Sequence, residues 1–539
     1  MPSSSTSIHS SSMHTIGNQI GYKVRNIATY GQPAIEINLD GGHGAHGKYV
    51  TSYATMDTIE GTVSITAPHD TRFENIEISF TGTSQVFVDR MTTTPSMTGR
   101  MEASHRFLTL KQPLDDADLP CPRKLLAGKT YTFPFLFTIP TQLLPRACTH
   151  PVTNDHIRQA HLMLPPSMGD PELAGFGGTL LDDLAPEMSK VTYGIKVRIS
   201  QLRESEGTVS LLAEKMRKVR VKPVFEEQPP LNVQPSDPDY RIRQEKSIRK
   251  GLFKGKLGTL VAQSIQPRPL VIPGARTENA GSITTSAKVI LRFDPADEAS
   301  QPPKLGSLAS KIKVSTFFAA APRHGIPVRS SLGYDLTQGL YAETISLSSL
   351  CVGSAQWKKH DCNANPIVDK NLTRRDSGDS AISGCSAMSS DDYFNAGFLT
   401  ASKNYRGCSF YTAEIIVPIT CPDNKNILPT FHSCLISRTY TLSLQLTTSG
   451  AGVTSPSIHL KVPIQVAADG SDSGNANARA RSVEAITARD ADAMFVPRSV
   501  APPPELEAGS DDLPPEYAAF APNTTLRMAR TDVRVLSVS

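Results

Sequence analysis

The stretch Tyr131-Thr132-Phe133-Pro134-Phe135-Leu136-Phe137-Thr138-Ile139 has the clearest structural pattern in the chain. Its odd-numbered positions are all large and apolar, and this period of two predicts a β-strand with one buried face. Pro134 lies on the other face and has no N–H to donate to a neighbouring strand, which favours an edge strand or a bulge. Pro140 and Pro145 then end the strand.

The same alternation recurs on both sides of this strand. It is found in residues 59–65, 76–80, 86–88, 191–199, 218–224, 287–293, 312–316, 411–419, 440–446 and 458–466. The intervening residues 91–105, 112–124 and 147–188 are predicted as loops. Regularly spaced strands with little helical periodicity predict an all-β protein built from antiparallel β-sandwiches.

The strand pattern falls into two blocks, residues 30–225 and 257–466, which we interpret as two tandem immunoglobulin-like β-sandwich domains. Serine-rich residues 1–29 are predicted as a flexible N-terminus. Residues 358–392, rich in Ser, Asp and Asn, are predicted as a disordered insertion in the second block. Residues 467–539 are predicted as a disordered C-terminal tail, in which a short helix near residue 482 is only weakly indicated.

Residues 226–256 are predicted as a basic linker or hinge between the blocks. Its cations include Arg249, Lys250, Lys254 and Lys256. Two interpretations stay open for them: a solvated connector, and a patch that binds anionic lipid or an acidic receptor tail.

Composition narrows the classes of function. The chain has 539 residues, a net charge of +4 and 39% hydrophobic residues. This charge is too small to indicate nucleic acid as a partner. The N-terminus lacks the apolar core of a signal peptide, and no apolar run is long enough to span a membrane. We therefore expect a cytoplasmic protein whose eight cysteines are reduced thiols. Cys421 and Cys434 are candidates to approach each other in the fold, but nothing in the sequence requires a bond between them.

No catalytic or cofactor motif is apparent. His43 and His46 lie in a glycine loop without a carboxylate or thiolate nearby, so we predict no metal site. The carboxylate pairs Asp115-Asp116 and Asp182-Asp183 are interpreted as solvated turns. We therefore expect a protein without enzymatic activity and without a cofactor.

Two short motifs lie outside the strand pattern. Pro514-Pro515-Glu516-Tyr517 matches Pro-Pro-x-Tyr, in which two prolines hold a polyproline II turn and the tyrosine enters the groove of a WW domain. Pro514, Pro515 and Tyr517 are thus candidate WW-domain ligands. Arg374-Arg375-Asp376-Ser377 fits a basophilic kinase site, with Ser377 as the candidate phosphosite.

Several segments, in this order, make the chain resemble the arrestin family, and more specifically the fungal α-arrestins or arrestin-related trafficking adaptors. The segments that resemble arrestin strands are Glu60-Gly61-Thr62-Val63, Ile76–Gly82, Tyr131–Pro140 with Leu144-Pro145, Val191–Val197, Ser433–Leu442 and Val462–Val466. The resemblance covers about residues 30–466.

The resemblance implies a cytosolic adaptor that is recruited to the plasma membrane and endosomes. Family members bind a membrane transporter or receptor and recruit a HECT-type ubiquitin ligase through Pro-Pro-x-Tyr motifs, so that the cargo is ubiquitinated and endocytosed. An alternative within the fold is a signalling scaffold for pH or nutrient sensing, or a retromer-like sorting subunit. A carbohydrate-acting β-sandwich enzyme is disfavoured, because the chain has one tryptophan and no signal peptide.

Overall fold

The computed structural model describes residues 31–40, 52–90, 99–174, 181–203, 207–250, 255–274, 282–361, 399–403, 405–407, 409–449 and 456–494. Strands predominate over helices in these ranges, which confirms an all-β protein at the level of secondary structure. The predicted flexible N-terminus (1–29) and the glycine loop with His43 and His46 lie outside the described residues.

The described part of residues 34–222, here called the N-terminal half, contains ten strands. These are β1 (Ala34–Leu39), β2 (Ser52–Ala54), β3 (Thr58–Thr66), β4 (Thr71–Arg72), β5 (Asn75–Arg90), β6 (Gly99–Lys111), β7 (Lys124–Leu125), β8 (Thr130–Thr138), β9 (Ser189–Arg203) and β10 (Thr208–Lys222). They form a three-stranded sheet in the order β1-β3-β8, a five-stranded sheet in the order β2-β10-β9-β5-β6, and the pair β4-β7.

The described part of residues 243–468, here called the C-terminal half, contains twelve strands. These are β11 (Arg243–Arg249), β12 (Lys256–Ser264), β13 (Leu270–Ile272), β14 (Thr284–Pro295), β15 (Lys304–Ala319), β16 (Gln338–Cys351), β17 (Lys358–Asp361), β18 (Ser409–Thr420), β19 (Phe431–His432), β20 (Ile436–Ser449), β21 (Ser457–Ile464) and β22 (Val466–Ala468). One sheet has the order β11-β12-β14-β18-β17, a second has the order β16-β15-β20-β19 with β21 paired to β20, and β13 pairs with β22. Within the described residues, no sheet combines strands of both halves.

Helices are few in the described ranges, and all but the last of them connect strands. The α-helices are Asp155–Leu162, Pro171–Ala174 and Asp472–Met494, and the 3-10 helices are Pro145–Ala147 and Arg329–Gly333. None of the helices in the described ranges combines the length and the apolar composition of a membrane span.

The phenylalanine-rich stretch forms β8, as predicted. Phe133, Phe135 and Phe137 are buried in the core, and β8 is an edge strand of its sheet because β3 is its only neighbour among the described strands. Pro134 is opposite Thr62 of β3. Because no described strand pairs with the other side of β8, the missing N–H of Pro134 costs no hydrogen bond there. Burial of each phenylalanine stabilises the fold by about 2–3 kcal/mol.

Three strands are longer than the sequence pattern predicts. β5 runs without a break from Asn75 to Arg90, β6 includes residues 99–105 that we predicted as a loop, and β10 starts at Thr208 rather than Lys218. The prediction of a loop at 99–105 is wrong because most of β6 alternates between exposed and half-exposed residues. A strand without a deeply buried face has no hydrophobic periodicity to detect.

The predicted linker and tail also contain regular structure. β11 and the start of β12 lie within residues 226–256, where they pair with each other and extend a sheet of the C-terminal half, so this part is not a free hinge. β17 occupies residues 358–361 at the start of the predicted insertion, whose residues 362–392 lie outside the described ranges. The tail begins with β22 and the helix Asp472–Met494, so the prediction of disorder from residue 467 is wrong there.

The core continues through both halves. Buried apolar side chains from the N-terminal half, such as Ile78 and Tyr193, belong to the same connected cluster as Phe293 and Leu442 of the C-terminal half. Residues 1–481 form one compact unit, and residues 482–539 form a second. Both halves therefore belong to the first unit.

Candidate functional site

The basic residues predicted as a lipid or cargo patch lie at one end of the β11–β12 hairpin. Arg249 is paired with Lys256 across the hairpin, and both side chains are exposed. The Nζ of Lys250 lies 3.0 Å from Oδ2 of Asp297, so part of its charge is neutralised on the surface. Lys254 lies outside the described residues. The structure thus brings three of the four cations together, and their role in binding stays a prediction.

The other sequence-predicted sites lie outside the described ranges. These are the WW-domain motif with Pro514, Pro515 and Tyr517, and the candidate phosphosite Ser377. Their assignments stay predictions from the sequence.

The prediction of solvated carboxylates is correct for Asp182, which is exposed, but wrong for Asp183. Asp183 is buried, and its carboxylate accepts hydrogen bonds from the backbone N–H groups of Gly169 and Ala185. Asp182 accepts a hydrogen bond of 2.8 Å from Nζ of Lys425, a residue of the C-terminal half. Burial alone raises the pKa of Asp182, but the hydrogen bonds that it accepts outweigh this effect and lower the pKa. Both carboxylates thus have structural partners rather than the arrangement of an acid–base pair.

A buried arginine lies beside this loop and joins the two halves. Arg438, in β20, is fully buried, and its guanidinium donates to the backbone carbonyls of Asp183 (3.0 Å) and Leu184 (3.2 Å). Nearby, Arg220 of the N-terminal half donates to the side-chain oxygen of Asn426 at 2.8 Å. Hydrogen bonds from a charged donor in a water-poor interior are stronger than neutral ones, so these contacts strengthen the junction.

Four side chains with metal-ligating atoms converge at the same junction. They are Cys148, His150, His161 and Cys434, and their ligand atoms all lie within 4.8 Å of one another. Cys148 follows the 3-10 helix Pro145–Ala147. We call this group the Cys/His cluster.

The helix Asp155–Leu162 supplies His161 from its last turn. The helix begins after Asn154, whose side-chain oxygen accepts a hydrogen bond of 2.9 Å from the N–H of Ile157. This cap satisfies one of the free N–H groups of the first turn and defines where the helix begins. The position of His161 therefore depends on a short, capped helix.

Cys434 comes from the tight turn between β19 and β20. The hydroxyl of Ser433 donates to the carbonyl of Ile436 at 2.8 Å, and its oxygen accepts from the N–H of the same residue at 3.2 Å. The carbonyl of Cys434 accepts a hydrogen bond from the N–H of Arg323 at 2.9 Å. The turn is thus held from both sides, with the Cys434 thiol facing the N-terminal half.

The ligand atoms of the cluster are in contact. Sγ of Cys148 lies 3.4 Å from Nε2 of His150 and 3.6 Å from Nδ1 of His161. Sγ of Cys434 lies 3.8 Å from the carbonyl oxygen of Ala147. Cys148, His161 and Cys434 are buried, and His150 is half-buried at the edge.

Burial shifts the titration of two members of the cluster. It lowers the pKa of His161 to about 4, with smaller contributions from the neighbouring His150, Arg323 and Arg158. Burial and the adjacent Cys148 raise the pKa of the Cys434 thiol. A thiol with a raised pKa is a poor nucleophile, so Cys434 does not resemble the activated cysteine of an enzyme.

Sequence reasoning missed this cluster. In the sequence we considered only His43 and His46 of the glycine loop as metal ligands. The part of the cluster that is visible in the sequence is Cys148-Thr149-His150, followed by His161. Cys421 and Cys434, which we considered as neighbours, are both free thiols, and Cys434 approaches Cys148 instead. We predicted no metal site, but that prediction was made without considering Cys148, His150, His161 and Cys434 as ligands.

No protein-family model matches the chain, and no curated protein matches it.

Proposed function

We propose that the chain is a non-catalytic cytosolic adaptor that joins a membrane transporter or receptor to a WW-domain HECT-type ubiquitin ligase. The adaptor would bring cargo and ligase together, so that the cargo is ubiquitinated and endocytosed. Its action is a proximity effect, in which the segment between the cargo-binding part and the ligase motif sets the effective concentration.

The observation that carries the proposal is the motif Pro514-Pro515-Glu516-Tyr517. It lies beyond the compact unit of residues 1–481, in the part of the chain where hydrophobic patterning has ended. Asp511, Asp512 and Glu516 add negative charge that a basic WW surface favours.

The sheet arrangement supports the body of such an adaptor. In the described residues, each half has two sheets of three or more strands and one separate pair of short strands. Two main sheets in each half are expected for two tandem immunoglobulin-like β-sandwich domains of the arrestin type. The exposed cations Arg249, Lys250 and Lys256 at the β11–β12 hairpin would face the membrane or the cargo.

The test is binding of the full chain to an isolated tandem WW-domain fragment, measured by calorimetry. Tyr517→Ala should weaken binding at least about 30-fold, because an anchoring aromatic contributes about 2 kcal/mol or more. Tyr334→Ala is the matched control, since Tyr334 is 94% exposed and lies outside the motif. Unchanged affinity of Tyr517→Ala would contradict ligase recruitment through this motif.

Cargo turnover separates the adaptor from its alternative. In cells, Tyr517→Ala should prolong the residence of the cargo at the plasma membrane, whereas Tyr334→Ala should not. If the variant loses WW binding but cargo turnover is unchanged, an arrestin-fold signalling scaffold or sorting subunit is the better interpretation.

A further inference from the structure

Two of the distances between ligand atoms in the Cys/His cluster match those of a tetrahedral metal site. Zinc binds cysteine sulfur at about 2.3 Å and histidine nitrogen at about 2.1 Å, so tetrahedral angles place a sulfur and a nitrogen about 3.6 Å apart. The observed distances from Sγ of Cys148 are 3.4 Å to His150 and 3.6 Å to His161. The ligand atom of Cys434 lies within 4.8 Å of the other three.

A neighbouring carbonyl orients the imidazole of His150. Its Nδ1 lies 3.1 Å from the carbonyl oxygen of Pro151, so Nδ1 carries the proton that this hydrogen bond requires. Nε2 then has a free lone pair, and this is the atom that faces Cys148. Metal-binding histidines commonly have such a partner on the second nitrogen, which sets the tautomer and the ring orientation.

The types of ligand select the metal. Two sulfurs and two nitrogens in tetrahedral arrangement are typical of zinc, whereas magnesium and calcium prefer oxygen ligands. Two thiolates also balance the charge of a divalent ion, so the buried site would be neutral overall. A neutral site avoids the large cost of burying an unpaired charge.

We propose that Cys148, His150, His161 and Cys434 bind one Zn²⁺ in a structural site that joins the N-terminal half to the C-terminal half. Four protein ligands leave no coordination position for a substrate or water, which distinguishes the site from a catalytic one. Three ligands come from the segment around the helix Asp155–Leu162, and the fourth comes from the β19–β20 turn. The ion would thus connect two parts of the fold that are distant in sequence.

The first experiment measures metal content. The full chain is purified under reducing conditions without a polyhistidine tag or a metal column, and zinc is quantified by mass spectrometry. We expect about one zinc ion per chain. After replacement by Co²⁺, the visible bands of tetrahedral cobalt and a thiolate-to-cobalt charge-transfer band should appear.

The second experiment removes single ligands. Cys434→Ser and His150→Gln should each lose bound zinc and weaken the affinity by more than the roughly 10–100-fold that loss of an outer-shell partner costs. Cys421→Ser is the matched control, because Cys421 is another buried free thiol of the C-terminal half that lies outside the cluster. If Cys434→Ser does not fold, zinc binding is tested with His150→Gln alone. His150 is half-buried at the edge of the site, so its replacement disturbs the core less than replacement of a buried ligand.

Thermal unfolding with and without a chelator completes the test. EDTA should lower the unfolding midpoint of the wild type and of Cys421→Ser, but not that of Cys434→Ser or His150→Gln. The proposal is overturned if the reduced wild type binds neither zinc nor cobalt, or if the ligand variants retain the metal. A disulfide between Cys148 and Cys434 in protein purified without oxidant would overturn it as well.

Discussion

At the scale of single residues, the fold contains buried charges that have specific partners. Asp170 is an example within the N-terminal half: its side chain is 2% exposed, and its carboxylate contacts Lys218 at 2.8 Å and Lys190 at 3.2 Å. Burial alone raises the pKa of Asp170, but hydrogen bonds from the two lysines outweigh this effect and bring the pKa below its usual range. The ionised form is therefore the stable one in the folded chain.

The contacts of Asp170 with Lys218 and Lys190 should make the free energy of unfolding depend on pH. Asp170→Asn should lower the free energy of unfolding by about 1–3 kcal/mol at neutral pH, because a charged hydrogen-bond acceptor is lost. As the pH falls, the unfolded chain takes up the proton first, near the ordinary aspartate pKa of about 3.9. The stabilisation that the ionised Asp170 contributes is then lost as the pH falls through the pKa of Asp170 in the folded chain. The difference in free energy of unfolding between the wild type and Asp170→Asn should therefore shrink.

Urea unfolding of both proteins between about pH 7 and pH 3 measures this effect. Asp89→Asn serves as control, because the Asp89–Arg100 pair is exposed and should contribute no resolvable stability. A difference between Asp170→Asn and the wild type that stays constant across the pH range would contradict the assignment.

At the scale of elements, strand β3 shows how closely its two neighbours in the sheet β1-β3-β8 approach its backbone. Gly61 is opposite Leu39 of β1 and Phe135 of β8. A Cβ atom at this glycine would lie 2.1 Å from the carbonyl oxygen of Asn38 and 2.7 Å from the ring of Phe135. The missing side chain is thus what allows the phenylalanine of the neighbouring strand to cover the backbone.

Gly61→Ala should therefore destabilise the protein through overpacking, by about 1–3 kcal/mol or more. Gly333→Ala is the control, since a Cβ atom there would have no neighbour within 4 Å. The midpoint of urea unfolding of the two variants gives the comparison. Equal midpoints would show that the Phe135 ring and the Asn38 backbone move away from the added methyl group without loss of stability.

At the scale of the whole molecule, the two halves share one core and a polar junction. Arg438 donates to carbonyls of the other half, Lys425 pairs with Asp182, and Arg220 donates to the side chain of Asn426. The core cluster contains apolar residues of both halves. These contacts favour cooperative unfolding of the described part of residues 1–481.

We expect calorimetry to show one unfolding transition for the two halves of the wild type, with similar calorimetric and van't Hoff enthalpies. Arg438→Met should lower stability by about 2–4 kcal/mol and separate the transition into two, because the buried carbonyls of Asp183 and Leu184 lose their donor. Arg198→Met is the control, since this arginine is 46% exposed in its pair with Glu214. Two well-separated transitions in the wild type itself would show that the halves are not coupled.

The sequence by itself determined the strands with a buried face, such as β8 and β9, because their alternation of apolar and polar residues is local and readable along the chain. It did not reveal β6 or β11, whose side chains are mostly half-exposed or exposed, so that their strand conformation depends on pairing with neighbours. Only the tertiary structure brought Cys434 to Cys148 and Arg438 to the Asp183 loop. Those contacts join residues that are far apart in the chain, and sheet pairing and core packing decide which of them meet.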